Sequence, residues 1–201
     1  MRPAMMRLRV TGTVVGMVCI ALGLTGCTNN QELGTREFAD PDIQWPTLHE
    51  KEDLIETIEL CYEHFREGDP DEIEFYYANA LFDHPDDQYD YVWIMQEADV
   101  EYGHPGILTR DQDINATMKI IARAQELELE IMPGTWFEAD DVCEGCWETT
   151  REYLISLTIC RGEETDCLGS QGMRVRFIAG PHHKDPAKWA IYVAEDLPRA
   201  N

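Results

Sequence analysis

The chain has few basic residues for its length. It carries 16 Lys and Arg against 39 Asp and Glu over 201 residues, a formal net charge of −23. A nucleic-acid-binding domain needs a basic footprint, and docking to anionic lipid headgroups needs clustered Lys or Arg. The composition therefore excludes nucleic acid as a partner and argues against electrostatic binding to a membrane surface.

Motifs with a known chemistry are also scarce. The sequence has no glycine-rich phosphate loop, no catalytic constellation and no complete metal site. Asp111-x-Asp113-x-Asn115 begins like a calcium loop, but Ala116 replaces the required Gly and Ala122 stands where a bidentate Glu should be. We therefore assign no catalytic residue, no metal ligand and no cofactor.

A long apolar run lies near the N-terminus. Three arginines precede a mostly apolar stretch, residues 10–24, and two small residues then lead to Cys27. This order of charge, apolar region and small-residue cleavage site is typical of a secretory signal peptide. As a helix the stretch would span about 22 Å, whereas a bilayer core is about 30 Å thick. A cleaved signal is therefore favoured over a short uncleaved anchor.

The end of this run, Leu24-Thr25-Gly26-Cys27, resembles the lipobox of bacterial lipoproteins. The resemblance implies that a peptidase cuts before Cys27 and that the Cys27 thiol is lipidated with acyl chains such as palmitate. Thr28, rather than Asp, resembles the outer-membrane sorting class of Gram-negative cells. We therefore expect an exported cell-envelope protein, held to a membrane by its lipid anchor. In a Gram-negative cell it would face the periplasm from the outer membrane.

The remaining chain divides into a short tether and one domain. Residues 1–26 are the predicted signal peptide, and residues 27–46 are polar without a sustained period, which predicts a lipid-anchored tether. Residues 47–201 are long enough for a single domain with its own core. Three of the 16 basic residues and none of the 39 acidic ones precede Cys27, so the mature chain has 13 against 39, a formal charge of −26.

Hydrophobic spacing predicts helices first and strands afterwards. The first helix opens at residues 46–50 with a capping box of Thr47 and Glu50, and the second begins at Asp69-Pro70. A third runs from about residue 111 to 125, while residues 91–95 fit either a short strand or a helical turn. From Leu127 onward the period is two, which predicts antiparallel strands in an α+β fold.

One face of the late strands is apolar. The register of these strands is fixed, because a one-residue slip would expose every apolar side chain. The apolar face is therefore the inner face, and it would line a pocket in this domain. The candidate lining residues are Tyr153, Ile155, Leu157, Met173, Val175, Phe177, Trp189 and Ile191.

The order of elements resembles the nuclear transport factor 2-like (SnoaL-like) cone fold. Residues 65–73 resemble the helix-Gly-Asp-x-Asp-x-apolar junction between that family's first two helices, and residues 188–191 resemble its closing strand, where Trp follows a basic residue. The resemblance implies N-terminal helices packed on a curved antiparallel sheet, with a pocket at the wide end. Residues 137–149 fit the family poorly and look like an insertion.

Five cysteines follow Cys27. Cys61 lies on the apolar face of the first helix and is expected to be free and buried. An exported location is usually oxidising, so the other four are disulfide candidates, paired either within the two local groups or between them. A redox pair at the Cys-x-x-Cys motif and a four-cysteine zinc site are the competing interpretations. The four candidates are Cys143, Cys146, Cys160 and Cys167.

These observations predict a membrane-anchored envelope lipoprotein with a non-enzymatic binding domain. Its partner would be an apolar small molecule or an envelope protein. The alternatives are a pocket enzyme of the isomerase or hydro-lyase type and a Cys-x-x-Cys disulfide oxidoreductase. An Asp or His deep among Tyr153, Phe177 and Trp189 would favour the enzyme.

Overall fold

The structure, a computed structural model, describes residues 43–84, 90–96, 105–161 and 164–198, and for residues 159–161 and 164–172 the backbone alone. The predicted signal peptide, the lipidation site Cys27 and most of the predicted tether lie outside these ranges. Among the described residues, no helix combines the length and apolar character that a membrane span requires.

Helix α1, Lys51–Glu63, begins later than the sequence predicted. Glu50 is its N-cap, and the reciprocal capping partner is Asp53 rather than Thr47. Leu48 has a φ of 62°, which lies in the left-handed region, so a right-handed helix cannot pass through it. The Leu48 carbonyl instead accepts a hydrogen bond from the Trp189 N–H at 2.8 Å. This bond links the residues just before α1 to the last strand of the domain.

Helix α2, Pro70–Ala80, begins as the sequence predicted. Asp69 is the N-cap, its side chain accepts from the Asp71 N–H, and Pro70 fills the first helical position. Helix α3, Arg110–Arg123, is capped by Thr109 and Gln112. It ends two residues earlier than expected because the strand that follows already begins at Ala124.

Seven strands form one sheet. They are β1 Val92–Ile94, β2 Ile107–Thr109, β3 Ala124–Ile131, β4 Phe137–Glu138, β5 Trp147–Arg161, β6 Glu164–His182 and β7 Asp185–Leu197. The order is β2-β1-β7-β6-β5-β3, with β4 paired to β5. The chain is therefore α+β, as predicted. The sheet is mixed rather than wholly antiparallel, because β1 and β7 run in the same direction.

A bulge in β7 changes which of its side chains face the helices. Ile178 pairs with Val193 and Ala179 pairs with Ile191, so Tyr192 is an extra residue between them. Ile191 and Ala194 consequently face the main core, while Val193 packs on the opposite side of the sheet. The strict alternation expected along this strand stops at Ile191.

Two hydrophobic cores lie on opposite faces of the sheet. The main core joins the three helices to the inner face of β5, β6 and β7. A smaller core of Ala139, Cys146 and Ile178 lies on the outer face, with Cys143 and Val193 packed against it. The segment predicted as an insertion therefore covers part of the outer face, where β4 also joins the sheet.

Substitutions at two neighbouring positions of β6 should separate the two faces of the sheet. Phe177 is 2% exposed in the main core, so Phe177→Asp buries an unpaired carboxylate and should lower the free energy of unfolding by more than about 4 kcal/mol. Arg176 lies on the other face and pairs with Glu148 and Glu195 at 2.9 and 3.0 Å, all of them partly exposed. Arg176→Gln should cost about 1 kcal/mol. Chemical denaturation measures both, and a larger loss for Arg176→Gln would contradict the assignment of faces.

Candidate functional site

A buried carboxylate lies in the space between the helices and the sheet. Asp113, in the first turn of α3, is 1% exposed. Its Oδ2 accepts hydrogen bonds from the hydroxyls of Tyr77 and Tyr91, each at 3.0 Å. Thr117, one turn further along α3, donates to the Tyr77 hydroxyl oxygen at 3.3 Å. The four residues bring α2, α3 and the segment before β1 together.

Burial shifts the titration of this cluster. Loss of solvent raises the pKa of Asp113 to about 6, and the hydrogen bonds from Tyr77 and Tyr91 offset only part of that rise. The pKa values of both tyrosines lie well above their ordinary value, because burial and then the charge of Asp113 disfavour the phenolate. The two tyrosine hydroxyls therefore keep their protons near neutral pH, and Asp113 is the group of this cluster that titrates there.

A second buried carboxylate lies at the end of β7. Asp196 is 3% exposed and accepts from the Trp93 indole N–H at 3.0 Å and from the Tyr153 hydroxyl at 3.3 Å. The charges of Asp113 and Asp196 both act on Tyr91. Asp196 therefore lies deep in the domain beside Tyr153 and Trp93, which meets only part of the arrangement expected of an enzyme, an Asp or His among Tyr153, Phe177 and Trp189.

The cavity next to these groups is small. Its volume is about 20 Å³, which is room for about one water molecule. The rings of Tyr77, Tyr91, Trp93 and Tyr153 border it, but neither carboxylate does. Ligand sites for drug-sized molecules are about 300 to 1,000 Å³. This cavity therefore cannot hold such a ligand without movement of the core.

The predicted pocket-lining residues divide into three groups in the structure. Tyr153, Val175, Phe177 and Ile191 border the small cavity. Ile155, Leu157 and Met173 are buried in the same core but do not border it. Trp189 is only partly buried, and the Lys51 ammonium lies 4.6 Å from the centre of its ring.

The structure brings Cys143 and Cys146 together, with their Cα atoms 5.3 Å apart, which is within the range for a disulfide; the bond itself stays a prediction. Cys146 is fully buried in the outer-face core. The residues around the pair form turns and no helix begins at either cysteine, so the helix N-terminus that activates redox cysteines is lacking at this described segment. Cys61 is free and buried, and burial raises the pKa of its thiol.

The other two cysteine positions, Cys160 and Cys167, lie in the hairpin of β5 and β6, at the end away from Trp147. Cys160 is opposite Thr165 and Cys167 is opposite Thr158, a diagonal arrangement. Their side chains fall outside the described residues, so a Cys160–Cys167 disulfide stays a prediction. Thirteen residues of β5, about 43 Å of strand, separate Trp147 from Cys160. A strand length of this size favours pairing within each local group over pairing between the two groups or a shared zinc site.

A groove on the outside of the domain is larger than the interior cavity, with a volume of about 550 Å³. We call it the outer groove. One wall is the entry segment of residues 45–49, the second is the exposed side of α2, and the third is the turn between β6 and β7. We define it by Trp45, Phe75, Tyr76, His182, Lys184 and Lys188.

Sequence reasoning missed both buried carboxylates. Asp113 stood out only as part of an incomplete calcium loop, although it shares a helical face with Thr117 and Ile121, which are buried. An Asp on the apolar face of an amphipathic helix was the available signal. Asp196 gave none, because the bulge at Tyr192 reverses the alternation that would have identified its face.

Comparison with known proteins gives a likeness of fold. No protein-family model and no curated protein sequence matches the chain. It is similar to a nuclear transport factor 2-like superfamily protein from Salmonella enterica serovar Typhimurium, at 10% identity and a TM-score of 0.48 over 75% of this chain and 91% of that one. It is also similar to a hexachlorocyclohexane dehydrochlorinase from Novosphingobium barchaimii, at 8% identity and a TM-score of 0.47 over 73% and 82%. At this similarity no activity or residue role carries over to this chain.

The buried Asp113 should make stability fall as pH rises. Its pKa is about 6 in the folded protein against an ordinary 3.8, so between these values the folded state keeps a proton that the unfolded state has lost. The stabilisation is complete below about pH 4 and is lost above about pH 6, a change of about 3 kcal/mol. Asp113→Asn should remove this part of the pH dependence in urea titrations at pH 4 and pH 7.

Asp111→Asn is the matched control for this measurement, because Asp111 is exposed on the same helix. It should leave the difference between the two pH values unchanged. An Asp113→Asn variant that keeps the wild-type difference would contradict a raised pKa at Asp113.

Peptide mapping without reductant should recover a Cys143–Cys146 bridge and a Cys61 thiol that reacts only after unfolding. Cys143→Ser opens a four-residue loop and should lower the free energy of unfolding by about 2 kcal/mol in the loop-entropy account. Alkylation of both Cys143 and Cys146 in the folded protein, or stoichiometric zinc, would contradict the disulfide.

Proposed function

We propose that this chain is a lipid-anchored protein of the bacterial cell envelope whose domain binds a ligand or partner and does not catalyse a reaction. The anchor rests on the lipobox-like sequence ending at Cys27. The binding role rests on one observation about the domain. The interior cavity that the described residues enclose is about 20 Å³, whereas the outer groove offers about 550 Å³.

The interior supports a structural role for its polar groups. Asp113 and Asp196 each accept hydrogen bonds from two buried aromatic donors, so their carboxylates are already engaged. A catalytic acid or base must reach the proton that it transfers, within about 3.2 Å or through one water. Neither carboxylate borders the cavity. The interior cavity that the described residues enclose is much smaller than the site of a drug-sized apolar ligand.

The outer groove lies where the chain enters the domain. Trp45, which forms part of its wall, stacks on Tyr76 at 4.2 Å and donates from its indole to Glu72. The entry segment is thereby fixed to α2. The 17 residues from Cys27 to Ile43 are joined by 16 peptide bonds and can span at most about 55 Å. A lipid on Cys27 would therefore hold this groove close to the membrane, within reach of envelope ligands.

An isomerase or hydro-lyase is the second candidate function. It is favoured by Asp113, whose pKa of about 6 would let it exchange protons near neutral pH beside two tyrosine hydroxyls. It requires the core to open around the 20 Å³ cavity. Indole or benzene titrated into the protein tests this by NMR. Shifts centred on Tyr91 and Tyr153 would show that the core opens as the enzyme requires, and their absence would remove this candidate.

The anchor is tested by replacing the lipidated thiol. Cys27→Ala cannot accept an acyl chain, so the variant should lose a metabolically incorporated fatty-acid label and accumulate unprocessed or in the soluble fraction. Labelled cells are fractionated and the protein is followed by immunoblot.

Cys19→Ala is the matched control, because Cys19 lies within the apolar stretch that the cleavage would remove. It should keep the label and the membrane fractionation of the wild type. Label that persists on Cys27→Ala, or a wild-type protein found only in the soluble fraction, would refute the anchor.

A further inference from the structure

The outer groove has a rigid aromatic wall. The rings of Trp45 and Tyr76 are nearly parallel, with an interplanar angle of 11°, and Phe75 meets Tyr76 edge-on at 5.3 Å. Phe75 is 61% exposed, although its neighbours on the same wall are partly buried. The Phe75 ring thus faces solvent next to a fixed stack, and a planar molecule could cover it without reorganising the wall.

The side of the outer groove formed by the β6–β7 turn and the start of β7 carries charges of both signs, because Asp185 lines it beside two lysines. Lys184 and Lys188 both line it, in a chain that has only 16 Lys and Arg against 39 acidic residues. Lys184 is paired with Asp83. The Lys188 ammonium lies 3.9 Å from Asp185, beyond hydrogen-bond distance, and its side chain is 43% exposed. Lys188 therefore keeps donor capacity for a second partner.

Lys188 decides the sign of the ligand in this argument. Exposed aromatic rings alone would suit a cation, through attraction to the ring face. Lys184 is already paired with Asp83, but Lys188 contacts Asp185 only at 3.9 Å, so its half-exposed ammonium can attract a carboxylate, sulfonate or phosphate. The volume of about 550 Å³ lies within the range of sites for small molecules.

We propose that the outer groove binds a small anionic molecule with a planar apolar body, whose ring packs on Phe75 and whose anionic group pairs with Lys188. The inference rests on the proposed function in that the domain is taken to bind rather than to catalyse, and it does not depend on the lipid anchor. The two can therefore fail separately.

Calorimetric titration tests the ligand class with naphthalene-2-sulfonate as the probe. The protein is the full chain purified from membranes into discs of zwitterionic lipid, with empty discs as the blank. The sulfonate should bind at least about 5-fold more tightly than uncharged naphthalene-2-methanol, because one ion pair at a partly exposed site contributes about 1 kcal/mol. Equal affinity for the two, or no binding of the sulfonate, overturns the proposal.

Two pairs of variants locate the site. Phe75→Ala and Lys188→Gln should each weaken sulfonate binding by about 3- to 10-fold. The controls are Phe137→Ala, which removes an equally exposed Phe, at 62%, from β4, and Lys119→Gln, which removes an exposed Lys from α3. Both controls should bind like the wild type. All four positions are exposed or half-exposed, so melting temperatures should change little.

Flotation with vesicles that contain anionic phospholipid tests whether the anionic group belongs to a small molecule or to a lipid headgroup. The Cys27→Ala protein recovered from the soluble fraction should not float with them. Flotation that Phe75→Ala or Lys188→Gln abolishes would show that the groove docks on a lipid surface and would overturn the small-molecule proposal. Losses of affinity that are the same in the groove variants and in their controls would also overturn it.

Discussion

Two buried carboxylates determine how the layers of this domain fit together. A carboxylate can be buried only if hydrogen bonds replace its water, and each donor must then come from a neighbouring element. Asp113 of α3 takes its donors from α2 and from the segment before β1, and Asp196 of β7 takes its donors from β1 and β5. Sliding of α3 against α2 or against the segment before β1 would break a bond of Asp113, and a shift of β7 against β1 or β5 would break one of Asp196. Hydrophobic packing alone would tolerate such movement more easily.

Local signals in the sequence predict much of this fold. The start of α2 follows from Asp69 and Pro70, because an N-cap and a first-turn proline act within one turn. The inner face of β5 and β6 follows from the alternation around Tyr153 and Phe177. Both depend on contacts between residues close in sequence or on one face of one strand.

Features that depend on distant residues could not be predicted in this way. The first helix starts at Lys51 because Leu48 is held by Trp189, a contact across 141 residues that no local capping signal contains. The parallel pairing of β1 with β7 likewise joins two strands that are far apart in the sequence. The candidate site was less predictable still. The outer groove combines three segments that are separate in sequence, and the polarity of the interior depends on a bulge.

The bulge at Tyr192 also constrains how this chain can change over time. Strand β7 serves two cores because one extra residue reverses its phase, so Ile191 points to one core and Val193 to the other. Deleting a single residue there would restore a regular strand, yet it would turn Ala194 and Asp196 away from the helices and leave the donors Trp93 and Tyr153 without their carboxylate. In this strand a one-residue change of length would do more harm than most substitutions. We therefore expect natural relatives of this domain to vary in length in the turns around β7 and to keep the residue count from Ile191 to Asp196.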